Sequence, residues 1–213
     1  LSLAIYMAIP YNIKLKVIYE DGDVLVVDKP AGIVVFPEGT GAPEAGGGKT
    51  LIDLLLEEYP YLKNVGEKPR YGIAHRLDKD TSGILLVAKN DKTLKLFQEQ
   101  FKKRSVEKKY LALVVGHLEN KEGVIDTLIG RSPANRKKQK IYLPNEPKSE
   151  GKRNTVTFYK VLKKFRNYDL VEAKPKTGRK HQIRAHFAYL SHPIAGDKVY
   201  GFKNQLCPKE LKR

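Results

Sequence analysis

The sequence contains a single cysteine, Cys207, so it can form neither an intramolecular disulfide nor a cysteine-based zinc site. That usage fits a reducing cytoplasm. Long hydrophobic runs are scarce as well. The apolar opening Leu1-Ser2-Leu3-Ala4-Ile5-Tyr6-Met7-Ala8-Ile9 has no basic leader and is far shorter than the roughly 20 apolar residues a bilayer span needs. Neither an export signal nor a membrane helix is expected. Leu1 is not an ordinary initiator, and three origins stay open: an unusual start codon, a leader or trimmed N-terminus within residues 1–12, or a true start at Met7.

Acid is the next shortage. Lys plus Arg number 40 against 24 Asp plus Glu, a formal charge of +16. Between Arg131 and Arg184 there are 17 basic and four acidic side chains. Solubility alone does not call for such clustering, which points to a face for a polyanion: nucleic acid, ribosome or an anionic membrane surface. The run from Arg131 to Lys140 places five basic residues in ten in what reads as a polar loop, an even choice between solvated turn and phosphate contact.

There is no internal repeat, no heptad pattern and no regular strand-helix-strand rhythm. The 213 residues suffice for one substantial core, and a single domain over 1–213 is expected. Val24 to Val27, Ile84 to Ala88, Tyr110 to Val115, Thr155 to Leu162 and Tyr168 to Ala173 read as strands, the last two joined by a turn at Arg166-Asn167. Lys92 to Lys103 places Leu94, Phe97 and Phe101 on one helical face. Arg179 to Leu190 carries the amphipathic set Ile183, Phe187 and Leu190 and stops near Pro193. This mixture supports an α+β fold with a mixed or antiparallel sheet.

A phosphate-cradling glycine loop is missing too. Gly48-Lys49-Thr50 ends a Gly-, Ala- and Pro-rich stretch (Gly39 to Gly48), but the residue five places earlier is Pro43, which lacks the N–H such a cradle needs. Nucleotide triphosphate binding is rejected. The better reading is a helix start, with Thr50 as cap, Asp53 three residues on, Leu51, Leu54 and Leu55 buried, and Pro60 as the stop. The five histidines, His75, His117, His181, His186 and His192, show no metal-ligand spacing. No metal and no cofactor are expected.

What is present is a charged turn launched into an apolar strand: His75-Arg76-Leu77-Asp78-Lys79-Asp80-Thr81-Ser82-Gly83. It resembles the signature loop of the RluA-type pseudouridine synthases. Further blocks match in the expected order, from about Ile13 to Gly201: Lys29-Pro30-Ala31-Gly32, then Lys108-Lys109-Tyr110-Leu111-Ala112-Leu113-Val114, then Thr177-Gly178-Arg179-Lys180-His181-Gln182-Ile183-Arg184, then His192-Pro193-Ile194-Ala195-Gly196-Asp197. Each is weak alone. Their order is specific.

The resemblance implies the pseudouridine synthase fold, a long, mixed but largely antiparallel sheet flanked by helices with a central RNA-binding cleft. It also implies isomerisation of specific uridines in structured ribosomal or transfer RNA. That reaction needs an ionised carboxylate in a shielded pocket and a cation beside it, and the family pattern assigns these to Asp78 and Arg184. On the residues alone, an aspartate in a polar turn is more often a turn former. The family likewise places the ring of Tyr110 against the uracil, and Ile183 lines the pocket by position. Arg76 is the candidate to brace the gap left by an extruded base, and His75 is a candidate backbone contact, equally readable as a structural histidine. Arg179, Lys180 and His181 are candidates to hold phosphate at a helix start, through side chains and free N–H groups together. Arg131 and Lys29 complete the candidate RNA contacts, Lys29 being equally readable as a solvated turn residue.

Two departures from the family pattern are Lys180 in place of a small polar residue and Ala185 in place of a larger branched one. The family's small N-terminal RNA-binding domain and its final strand and helix are expected to be missing from this stretch of chain. A cytoplasmic monomer acting on RNA, away from membranes, is the overall expectation. The competing reading is a non-catalytic, basic RNA-binding or ribosome-associated module.

Overall fold

The computed structural model describes residues 14–37 and 49–202. The apolar opening, the stretch Gly39 to Gly48 with Pro43, and Cys207 lie outside the described residues. The chain divides between Ser105 and Val106 into two compact units. Every strand pairing among the described residues is antiparallel, and helices accompany both units, so the α+β expectation holds.

The first unit carries a three-stranded sheet in the order β1 (Lys16–Glu20), β2 (Val24–Lys29), β3 (Gly83–Ala88). The β-branched run that predicts β2 alternates as the pleat requires: Leu25 and Val27 are fully buried, and so is Lys29. In β3 the same alternation buries Leu85 and Val87 and leaves Ile84 exposed. Gly83 opens β3 at φ +127, a backbone conformation that a side chain resists. β1 has no buried residue, which is why its pattern predicts no strand. Two α-helices and a short 3-10 helix (Pro60–Asn64) complete the described part of the unit. In α1 (Leu51–Glu58) the Thr50 hydroxyl accepts from Asp53 N–H and the Asp53 carboxylate accepts from Thr50 N–H, the expected capping box. Its buried residues are Leu51, Ile52 and Leu55, so Ile52 replaces Leu54 in the anticipated stripe. In α2 (Asp91–Lys103) Asn90 caps the start and Leu94 is buried.

The second unit is a five-stranded sheet in the order β4-β8-β7-β5-β6: β4 (Tyr110–Val115), β8 (Tyr168–Pro175), β7 (Arg153–Lys164), β5 (Glu122–Arg131), β6 (Gln139–Tyr142). The β7–β8 hairpin turns at Arg166-Asn167 as expected. The segment from Arg131 to Lys140 is not one loop, because Arg131 ends β5, Gln139 begins β6, and the two residues are paired across the ladder. The helix α3 (Gln182–Tyr189) begins three residues later than its periodicity suggests. His181 sits at φ 56, outside helical geometry. Phe187 is fully buried against Ala112, Val114, Val171 and Ala173.

His186, also on α3, is fully buried. Its Nε2 lies 3.2 Å from the Thr127 hydroxyl of β5, and its Nδ1 has no hydrogen-bond partner among the described residues. Burial pushes its pKa down to about 4, so the folded unit holds this ring neutral. The unfolded chain then binds the extra proton between the ordinary value of about 6.5 and about 4. Stability should therefore fall as pH drops through that window, by up to about 3 kcal/mol from this group. Urea melts of wild type and His186→Gln from pH 7 to pH 4 should diverge in slope, with the variant flatter; parallel curves would rule out the buried neutral ring.

Candidate active site

In the first unit, the loop with Asp78 is held from below by buried polar groups. The Lys29 ammonium, at the end of β2, donates to three main-chain carbonyls: Pro30 at 2.8 Å, Ile33 at 2.8 Å and Lys79 at 3.0 Å. Gly32 N–H donates to the same Lys79 carbonyl at 2.8 Å. An ammonium has three N–H bonds, so these three carbonyls account for all of them. Lys29 is thus neither a solvated turn lysine nor a side chain with a donor left for phosphate. Burial pushes its pKa down to about 8 against the pull of Asp80 and Asp78, and at neutral pH it keeps its charge.

The rest of the loop is fixed side chain by side chain. Leu77 is buried. His75 Nε2 accepts Leu86 N–H from β3 at 3.0 Å, which puts the ring proton of a neutral His75 on Nδ1, and the ring packs on Phe101 of α2 at 4.8 Å. The guanidinium of Arg76 lies 5.2 Å from the Phe36 ring centre, beside Arg70 at 5.3 Å on that ring. Asp78 itself is half-buried, and its carbonyl accepts Thr81 N–H at 3.1 Å to close the turn. Lys29, His75, Arg76 and Asp78 are therefore brought together, with Arg76 exposed.

In the second unit, Tyr110 opens β4 opposite Ala173 of β8 and packs half-buried on the cluster around Phe187, as does Ile183. The start of α3 is organised by Gln182, a residue that sequence reasoning passed over. Its Oε1 accepts from the Thr177 hydroxyl at 2.7 Å and from Arg179 N–H at 3.1 Å, while its Nε2 donates to Val156 carbonyl and the Thr157 hydroxyl. Gln182 N–H donates to the Arg179 carbonyl at 3.1 Å. The expected free N–H groups at this helix start are in these two cases already bonded within the protein. The Arg179 side chain is half-buried, and Lys180 is exposed. Arg131 is exposed at the end of β5.

Arg184 points its Nε and Nη2 at Asp197, with contacts of 2.7 Å and 3.0 Å. Burial alone would push the Asp197 carboxyl up, but the Arg184 guanidinium and the N–H groups of Tyr200 and Val199 outweigh it and hold it below the ordinary carboxylate range. The Tyr200 ring centre lies 5.2 Å from the guanidinium carbon. The Tyr200 hydroxyl accepts Gln139 N–H from β6 and meets His181 Nδ1 at 3.1 Å. Asp197 and Tyr200 were missed as functional residues. The available signal was an aspartate in a glycine-flanked turn, able to accept N–H groups two and three residues on.

Among the described residues no group of three or more His, Cys, Asp or Glu is placed to hold a metal, and no helix is long and apolar enough to cross a membrane.

A family model described as RNA pseudouridylate synthase matches residues 23–189. The chain belongs to this family. Relatives include a protein of Aquifex aeolicus called "Uncharacterized RNA pseudouridine synthase", 43% identical over 204 residues, with 95% of this chain and 61% of the relative covered. A Borreliella burgdorferi protein called ribosomal large subunit pseudouridine synthase D is 43% identical over 194 residues, with 90% and 56% covered. The chain thus spans less than two thirds of the length of these curated relatives. Among solved structures, Human RNA Pseudouridylate Synthase Domain Containing 1 aligns with a TM-score of 0.71 and 30% identity over 89% of this chain and 71% of that one. The pseudouridine synthase fold implied by the ordered blocks is therefore the fold of this chain.

The anchoring of the Asp78 loop generates a stability prediction. Lys29→Met should take the ammonium from three carbonyls, of which that of Lys79 keeps Gly32 N–H, and destabilise the protein by roughly 3 kcal/mol, read as a lowered urea midpoint at pH 7. An unchanged midpoint would mean that the ammonium is not the anchor.

Proposed function

We propose that this chain isomerises specific uridines in RNA to pseudouridine, with Asp78 as the catalytic carboxylate. The observation that carries this reading is the family match over residues 23–189, which takes in Asp78, Tyr110 and Arg184. It also crosses the boundary between the two units, which supports their working as one catalytic domain. In the reaction the bond between uracil nitrogen and ribose breaks, the base turns while held, and a ring carbon bonds the same ribose carbon. The ring proton lost from that carbon balances the one gained at nitrogen.

Within this reading Asp78 acts on the ribose or the base, Arg184 favours the ionised form of the carboxylate, and the Tyr110 ring lies against the uracil with Ile183 beside it. Arg76 braces the gap left by the extruded base, which costs a few kcal/mol to unstack. Arg131, Arg179, Lys180 and His181 meet phosphates within the basic field. The geometry of Lys29 and His75 favours positioning of the Asp78 loop over direct RNA contact. The name of the Borreliella burgdorferi relative makes large-subunit ribosomal RNA the first substrate to try, with transfer RNA as the second, in a cytoplasmic setting and with the chain acting as a monomer.

The test is tritium release from RNA labelled at the uracil ring carbon. Asp78→Asn should lower release by at least about 10³-fold, as loss of a group essential to chemistry does, while RNA affinity stays within about threefold because phosphate contacts dominate binding. RNA binding without release from ribosomal or transfer RNA by the wild-type chain would instead identify a non-catalytic RNA-binding module. Full activity in Asp78→Asn would remove Asp78 from the mechanism.

A further inference from the structure

The geometry points to Asp197, backed by Tyr200, as a positioning residue that presents Arg184 in one fixed orientation for the isomerisation. The inference rests on the proposed role of Arg184 in that reaction. A guanidinium carries five N–H bonds in one plane. Asp197 takes one from Nε and one from Nη2, and the remaining three point along the other two sides of the group. A two-point contact of this kind fixes the plane of the group as well as its position. The Tyr200 ring against the guanidinium fixes it from a second direction.

The clamp is itself anchored. Asp197 Oδ1 accepts N–H groups from Val199 at 2.8 Å and Tyr200 at 2.9 Å, so the carboxylate cannot rotate with the arginine. Its side chain is 4% exposed and that of Arg184 19%, so water competes little for either partner. The turn that carries Asp197 is pinned to β4. Val115 N–H donates to the Pro193 carbonyl at 2.9 Å, Ala195 N–H to the Leu113 carbonyl at 2.8 Å, and Ile194 bridges Val114. β4 is the strand that begins with Tyr110. One strand therefore sets the positions of both residues of this unit to which the proposed chemistry is assigned.

Such an arrangement has a functional consequence beyond holding a turn in place. An arginine in a strongly basic, RNA-facing region is free to swing to any phosphate within reach unless something holds it. A buried carboxylate on one side removes that freedom and leaves the other two sides aimed, with the rotamer entropy already lost in the free protein. Removing the carboxylate charge should then harm the chemical step and leave RNA capture largely intact.

Single-turnover tritium release and RNA affinity should be measured for wild type, Asp197→Asn, Arg184→Lys and the double variant. Asp197→Asn is expected to lower the single-turnover rate by roughly 10- to 100-fold, as loss of a supporting partner does, with RNA affinity changed less than about threefold. In the Arg184→Lys background the same change should cost less than about twofold, because the clamp has no guanidinium left to hold. Effects that multiply in the double variant, or a lowered melting temperature with an unaltered rate, would overturn the inference. Should Asp197→Asn fail to fold, Tyr200→Leu carries the test: a several-fold slower rate, again absent in the Arg184→Lys background, is expected, and additivity overturns it. A readout independent of activity is the Arg184 Nε–H resonance in nitrogen-15 spectra, which should exchange slowly with water in wild type; fast exchange sinks the clamp. An inactive wild-type chain would sink the isomerase reading and the clamp with it, whereas an active wild type matched by Asp197→Asn sinks the clamp alone.

Discussion

A buried ammonium group holds the candidate chemistry of the first unit in place. Lys29 has no solvent exposure, and an ammonium without partners at such a site would cost far more than a small domain can absorb. Three carbonyls satisfy it, and two of them, from Pro30 and Ile33, belong to the turn that follows its own strand. The third, from Lys79, is 50 residues away in sequence and adjoins Asp78. Solvation of one charge thus requires that the turn after β2 and the loop before β3 close on the same point. The loop conformation is a condition of burying Lys29, and Asp78 inherits its place from that condition.

The second unit follows the same logic with different groups. Gln182 is an amide whose acceptor and donor ends are both spent, on Thr177 and Arg179 at one end and on β7 at the other. Asp197 is a carboxylate surrounded by donors. Around these interior groups sit exposed cations, Arg131 and Lys180 among them. Side chains that must be accurate to a fraction of an ångström are fixed by buried, saturated hydrogen bonding. The exposed cations, by contrast, supply positive potential from the solvated surface.

This division explains what could be read from the sequence. β2, β3, β4, β7 and β8 are legible because β-branched or alternating apolar runs mark them, and α1 because its capping box is local chemistry between Thr50 and Asp53. β1 is invisible because none of its residues is buried. β5 is hidden because its inward positions include Thr127 beside Ile125 and Ile129, its outward ones carry Glu122 and Asp126, and the basic turn that follows dominates the composition. β6 is only four residues long. The start of α3 is misplaced because periodicity cannot register that His181 leaves helical geometry.

The candidate site divides along the same line. Asp78, Tyr110 and Arg184 stand in motifs, short strings whose order along the chain carries the information. Lys29 stands in one too, but its environment does not follow from the string: a lysine before Pro-Ala-Gly reads as a solvated turn, and only the three carbonyls converging on its ammonium show otherwise. Gln182 reaches Val156 across 26 residues and Asp197 reaches Arg184 across 13, separations at which no local pattern connects donor with acceptor. The supporting residues are therefore the harder ones to read from a single sequence, and they decide whether a motif residue can do what its motif suggests. An arginine at position 184 is a cation wherever it points; its hydrogen bonds to Asp197 make it a directed one.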